Sequence, residues 1–198
     1  INLLGGGTVY GDIEINDGDE IVVSDGETSL DGMINPDLVP ADEEPFALAP
    51  EQLEGSLTVM DEATLFLRNS KFSNPTAYDG PSNVFVDELT VEEGGTLAFE
   101  LAPEGPGAQP QGSYTQVFAD TANIEGTIEA RLTSENGLFD DMTFEDIIDA
   151  NVLTGFDEDR CVIGGVHAGS LFLEIACSAD DDANIDVEVT RVAFNSIE

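Results

Sequence analysis

Val84-Phe-Val-Asp-Glu-Leu-Thr-Val-Glu-Glu-Gly-Gly-Thr-Leu-Ala-Phe-Glu-Leu101 and Tyr114-Thr-Gln-Val-Phe-Ala-Asp-Thr-Ala-Asn-Ile-Glu-Gly-Thr-Ile-Glu-Ala-Arg-Leu132 are two versions of one pattern. Each is a short alternating strand, a polar turn, a Gly-Thr-Leu or Gly-Thr-Ile step, and a second alternating strand. A β-turn-β unit of this size cannot cover its own apolar face. Two copies in succession therefore predict a stack in which each unit is completed by its neighbour. Glycine followed by Thr or Ser and then an aliphatic recurs at Gly7, Gly55, Gly95, Gly126 and Gly169, each time at the entrance to a strand. The intervals of 48, 40, 31 and 43 residues read as about two coils apiece once loops are removed. An all-β, right-handed parallel β-helix with excursion loops accounts for this. A β-sandwich is the alternative, because short strands with Asp-Gly turns also fit it.

Outward from that centre, the N-terminal part keeps the same rhythm. Thr8 to Asn16 alternates apolar and acidic residues, with Val9, Ile13 and Ile15 on one side. Asp17-Gly18 and Asp25-Gly26 read as turns flanking a strand at Ile21-Val22-Val23, since Asp-Gly reaches positive φ at little cost. Residues 35–54 contain Pro36, Pro40, Pro45 and Pro50 and read as an excursion loop, with one helical turn over Pro50–Glu54. Strand pattern returns from Gly55 to Leu67, and further excursions span Asn69–Asn83 and Ala102–Gly112. The segment Leu138–Leu153 fits either a helix, with Thr143 as cap, or a strand over Phe144–Ala150. After it come strands at Cys161–Ile163, Ser170–Cys177 and Ile185–Phe194, the last two joined by an acidic turn at Ser178–Asn184.

The charge balance is extreme: 5 Lys and Arg against 42 Asp and Glu, a net −37 over 198 residues. Such a surface repels nucleic acid and anionic membrane, which are held by basic side chains. At 41% hydrophobic content the chain still has a core to bury, and its aromatics are mainly Phe. Carboxylates on outward faces keep a long β-structure soluble and oppose edge-to-edge association. No apolar run approaches the ~20 residues that span a bilayer, so the segment is expected not to insert. The chain opens in mid-pattern without a signal peptide, as expected of a piece of a longer protein. Cys161 and Cys177 lie in or beside apolar strands. They form a disulfide if those strands pair, and are two free thiols otherwise. One His and two distant Cys make no zinc site, and His167 is assigned no role.

The run Asp87–Leu101, then Asp120–Leu132, resembles the C-terminal passenger region of bacterial autotransporters (type V secretion). Phe144–Phe156 is similar to that family's strand, small-residue turn and Gly-x-Phe. Leu171–Phe194, with its Asp-rich turn and Val-Glu-Val-Thr-Arg-Val-Ala-Phe ending, is similar to its last hairpin. The resemblance covers about residues 84–194, while 1–83 look only generically like preceding coils. It implies a division into β-helix stem coils with excursion loops (1–83) and an autochaperone-like cap ending in a β-hairpin (84–198). It favours a strand over Phe144–Ala150 and tolerates a close pair such as Cys161 and Cys177. Two features depart from the family: the hyperacidic composition, where its stems are richer in Ser, Thr and Asn, and the presence of cysteine, which its passengers rarely carry. The partners implied are a C-terminal translocator β-barrel in the same precursor, the barrel-assembly machinery, and a host or cell-surface ligand. The implied location is the bacterial cell surface or the medium.

Three functions follow for comparison. The leading one is non-enzymatic: a stalk and folding template in which Leu97, Phe99, Ile128, Leu132, Leu171, Phe172, Val187 and Val189 form the folding core. A polysaccharide-active β-helix enzyme is the second. Asp140-Asp141 and Asp180-Asp181-Asp182 supply carboxylates for it, but only Arg68, Lys71, Arg131, Arg160 and Arg191 supply positive charge near a sugar acid. Acidic turns are the simpler account of those carboxylates. A calcium-binding adhesin or surface-layer component is the third. Asp17-Gly-Asp-Glu20 and Asp180–Asp182 offer hard oxygen ligands without a recognised loop spacing. No catalytic residue and no cofactor is assigned, calcium at the acidic turns being the one alternative.

Overall fold

The computed structural model describes residues 1–36, 53–68, 83–102, 114–132, 141–168, 170–179 and 183–192. The described chain is all-β. Its strands are β1 (Asn2–Leu4), β2 (Gly7–Tyr10), β3 (Glu20–Asp31), β4 (Ser56–Val59), β5 (Ala63–Leu67), β6 (Asn83–Val91) and β7 (Thr96–Leu101). They continue with β8 (Gln116–Ile124), β9 (Thr127–Leu132), β10 (Met142–Thr154), β11 (Cys161–Ile163), β12 (Leu173–Ala179) and β13 (Asn184–Arg191). Single 3-10 turns occupy Glu158–Arg160 and Gly165–His167.

One mixed sheet takes the order β11-β9-β7-β5-β3-β4-β6-β8-β10-β13-β12, with β1 and β2 also on β3. Strand β3 belongs to two ladders. Its first half pairs with β1 and β4, and its second half, past Gly26 (φ 54°), pairs with β2 and β5. Asp25-Gly26 is therefore a corner inside a continuous strand, where the sequence suggested a turn between strands. Every pairing from β1 to β11 is parallel. Antiparallel pairing is confined to β10–β13 and the hairpin β12–β13, which close the C-terminal end.

Parallel register converts the sequence pattern into columns. Leu3, Val23, Val59, Val91 and Ile124 stand one above another, and so do Val9, Leu30, Leu67, Phe99 and Ala130. A third column runs through Leu65, Leu97, Ile128 and Cys161, and a fourth through Ile34, Val84, Val117 and Ile148. Members between Val23 and Leu132 are buried and form one apolar cluster from Ile15 to Val189. Each Leu, Ile, Val or Phe so removed from water contributes about 1.5–3 kcal/mol. The cluster passes the 83/84 position without interruption, because β4 pairs directly with β6. The two matched halves of the sequence lie directly on each other, as β6 on β8 and β7 on β9.

Partners in one column, such as Leu57, Leu89, Ala122 and Leu153, are 31–33 residues apart. The 31-residue interval from Gly95 to Gly126 is thus one circuit of chain, not two. Among the described residues only the Gly95 and Gly126 triplets stack. A methyl on Gly126 would run into the carbonyl oxygens of Gly95 and Glu92, which explains the glycine there. Gly55 precedes a strand of the other ladder, Gly7 pairs with Thr28, and Gly169 lies outside the described residues. The alternation from Thr8 to Asn16 is likewise not one strand. The chain turns at Gly11 (φ 97°), leaving Ile13 in an isolated bridge to Ile34. The ambiguous Leu138–Leu153 segment is strand from Met142 onward. Most of the Pro50–Glu54 turn lies outside the described residues.

Six of the eight expected core residues are buried: Leu97, Phe99, Ile128, Leu132, Val187 and Val189. Leu171 and Phe172 are not, being 69% and 49% exposed. The Ser170 hydroxyl accepts a hydrogen bond from the Phe172 N–H (3.2 Å), turning the chain before the ladder begins at Leu173. Alternation in sequence started this strand at Ser170, three positions before its first residue, Leu173.

A buried amide holds one corner of the stack. Asn35, at φ 54°, accepts from Ile15 N–H (2.8 Å) and donates to the carbonyls of Glu54 (3.2 Å) and Phe85 (2.9 Å). These contacts join segments 50 residues apart in sequence. Asn35→Ala loses three bonds and places a methyl-bearing residue in the left-handed region, an expected loss of about 3 kcal/mol by denaturant unfolding. Asn35→Gly relieves the backbone term alone and should fall between the two.

Candidate functional site

Carboxylates crowd the surface, yet their placement follows a rule. Across all registered strand pairs, parallel and antiparallel, no Asp or Glu faces another Asp or Glu. Glu88 lies between Ser56 and Thr121, and Glu129 between Ala98 and Val162. Outward positions elsewhere form uncharged ladders, Thr64-Thr96-Thr127 on one face and Thr58-Thr90-Asn123-Thr154 on the other. Like charges directly opposite on a sheet are destabilising, whereas Thr packs well on a pleated surface. Other acids sit at bends and corners. At one bend Asn151 donates to Asp120 (3.0 Å), and at another Asp61 N–H donates to Glu92 (3.3 Å).

Two of the five cations are spent on one charge cluster. Arg68, one residue past β5, lies between Asp31 of β3 and Glu100 of β7, and Glu100 stands in register with Arg131 of β9. Arg68 lies 4.0 Å from Asp31 and 3.8 Å from Glu100. Arg131 pairs with Glu129 (2.8 Å) and reaches Glu27 (2.9 Å), with its guanidinium 4.3 Å above the Phe66 ring. Ala98, fully buried although outward-facing, stands between Phe66 and Glu129 in this register. Partial burial works against the Arg131 charge, but the Glu27 and Glu129 carboxylates outweigh it and raise its pKa. Arg160 pairs with Asp157 at 3.7 Å, and Lys71 lies outside the described residues.

A shallow acidic recess of about 220 Å³ is lined by Asp17, Asp19, Ser56, Asp87 and Glu88. Its Asp19 carboxylate accepts from the Asn16 backbone N–H (2.9 Å) and side-chain amide (3.4 Å). Those bonds, the backbone one first, lower the Asp19 pKa. In the acidic turn considered for calcium, one Asp19 oxygen is thus engaged by Asn16. Among the described residues no three His, Cys, Asp or Glu side chains group as metal ligands. Asp180–Asp182 and Asp140 lie outside those residues. His167 ends a 3-10 turn and is half-buried.

Cys161 and Cys177 form a disulfide with Cα atoms 5.9 Å apart. It joins β11 to β12, the two ends of the sheet path, so that the sheet is nearly closed and barrel-like. Beside this end, β10 makes a bulge at Glu145–Ile147, with Asp146 at φ 53°. The Tyr114 hydroxyl donates to Glu145 O (2.6 Å), Gln116 donates to Asp146 O (3.2 Å), and Asp146 N–H donates to Asp186 (2.8 Å). Burial, then the Asp146, Glu145 and Asp186 carboxylates, push the Tyr114 pKa up to about 12. This cluster has no sequence signature: its members come from three segments and are united by the bulge. No protein family, curated protein or solved structure matches the chain.

Two measurements check these arrangements. Thr121→Glu places a carboxylate beside Glu88 and should cost about 0.5–1 kcal/mol, with Thr121→Gln near neutral. That loss should shrink as salt rises from about 0.01 M to about 1 M, which shortens screening from about 30 Å to about 3 Å. Tyr114 is held neutral in the folded state, so its contribution is complete below about pH 10 and is lost as pH rises through about 12. Tyr114→Phe should therefore flatten the alkaline fall in unfolding free energy across that window.

Proposed function

We propose that the chain is a right-handed parallel β-helix segment acting as a structural stalk and folding template, in the manner of an autotransporter passenger stem. The observation that carries this reading is the asymmetry of the stack. Apolar columns run in parallel register through successive circuits and end against an antiparallel hairpin tied by a disulfide. In such a stack each circuit offers a ready edge and apolar floor to the next, so assembly can proceed from a closed end one rung at a time. Every added rung buries further apolar area, and the free energy released opposes back-sliding through a secretion pore. The outer surface suits this work: charge-ordered and acidic, it resists lateral association of strands. On this reading the segment works at the cell surface or in the medium, with a translocator barrel in the same precursor as its partner. It performs no catalysis.

The test is surface display. The chain is placed between an epitope tag and a translocator barrel in a Gram-negative host, and surface epitope is measured by antibody on intact cells. Wild type should be displayed. Leu97→Asp and Ile128→Asp each bury an unpaired charge, a loss of about 3–5 kcal/mol, and should reduce display at least tenfold. Display equal to wild type in both variants, with the purified variants shown to be unfolded, would overturn the template role.

A further inference from the structure

The disulfide occupies a singular place in the topology. Cys161 lies in β11, which is held by three residues of ladder to β9 and has no strand on its other side among the described residues. Cys177 lies in β12, the last strand of the sheet path, paired to β13 alone. The covalent bond therefore joins two edges that no ladder joins. On either side of it the backbone is weakly committed. Beyond β11 come Gly164, Gly165 (φ 63°) and a single 3-10 turn, with Val166 90% exposed. The hairpin itself rests on β10 through a ladder broken by the Glu145–Ile147 bulge. Beneath it lies the apolar end of the stack, Phe144, Ile147, Ile185, Val187 and Val189. The bond closes a local loop, 16 residues in sequence, and spans none of the circuits of the stack.

We propose that Cys161–Cys177 is a redox-operated latch on the C-terminal cap. Closed, it holds β12 against the last parallel rung. Opened by a dithiol, it frees β11 and the outer strand of the hairpin while the stack stays folded. Access decides the chemistry, because Cys177 is buried and Cys161 only partly so. A dithiol thiolate attacks Cys161 Sγ, and Cys177 Sγ departs with the bonding pair and takes up a proton. The second reductant thiol then displaces Cys161 from the mixed disulfide, leaving two protein thiols and an oxidised, cyclic reductant. Thiol–disulfide exchange of this kind needs no other reactant. The inference does not depend on the secretion reading, since it concerns the cap of this fold in any compartment.

Hydrogen exchange on the full chain, oxidised and after dithiothreitol, tests it, with the gain of two hydrogen atoms by mass marking reduction. Amides of Cys161–Ile163 and Leu173–Ala179 should exchange about 100-fold faster when reduced, the factor matching closure entropy for a loop of about 15 residues. Amides of β5, β7 and β9 should be unchanged, and reoxidation should restore the original pattern. Cys161→Ala with Cys177→Ala, without reductant, should reproduce the reduced pattern. A bond that dithiothreitol leaves oxidised in the folded protein would overturn the latch. So would exchange unchanged at both edges, or faster exchange in every strand alike, which would make the bond a general staple.

Discussion

A carboxylate cannot sit beside a carboxylate in an in-register stack without destabilising it, and this chain carries 42 of them. Parallel strands lie about 4.8 Å apart, so any residue repeated in the same outward position forms a column along the whole molecule. For an apolar residue that column is a core. For an acid it would be a line of like charges, screened only by the solvent outside. The structure avoids it at every paired position. Threonine and asparagine ladders occupy two outward columns, and each acid within a ladder faces a residue that is not an acid.

The few cations are used under the same constraint. Asp31, Arg68, Glu100 and Arg131 alternate in sign, so each charge has an opposite neighbour. The Arg68 side chain is 40% exposed although those of Asp31 and Glu100 are largely covered, and pairs with a solvent-exposed partner are worth little singly. Arg131 is the exception, shielded over Phe66 and held between Glu27 and Glu129. It ties β9 back to β3 across two intervening strands, bracing the ladder laterally where the apolar columns hold it from within.

The two ends of the stack are finished differently, and the difference gives the molecule its direction. At the C-terminal end the bulge in β10 admits the hairpin. Tyr114, Gln116 and Asp186 satisfy the backbone groups that the bulge exposes. Buried polar groups of that kind must be paired to be tolerated. At the N-terminal end β1 and β2, which carry no charge, are paired on one side only among the described residues.

Alternation, the Asp-Gly corners and the matched halves Val84–Leu101 and Tyr114–Leu132 were enough for an all-β stack with its apolar columns. Those features are local, and period two decides which side chains share a face. Leu97, Phe99, Ile128 and Leu132 were legible for that reason, whereas Leu171 and Phe172 were misplaced because a single Ser170 hydrogen bond moves the strand start. Register was beyond the sequence. The length of a circuit, the pairing of Gly95 with Gly126 but not with Gly55, the Asn35 clamp and the Tyr114 cluster all join residues distant along the chain. So does the absence of facing acids: forty-two carboxylates read from a sequence are only a net charge. Which of them are neighbours depends on how far each loop carries the chain before it rejoins the ladder, and only the tertiary structure decides that.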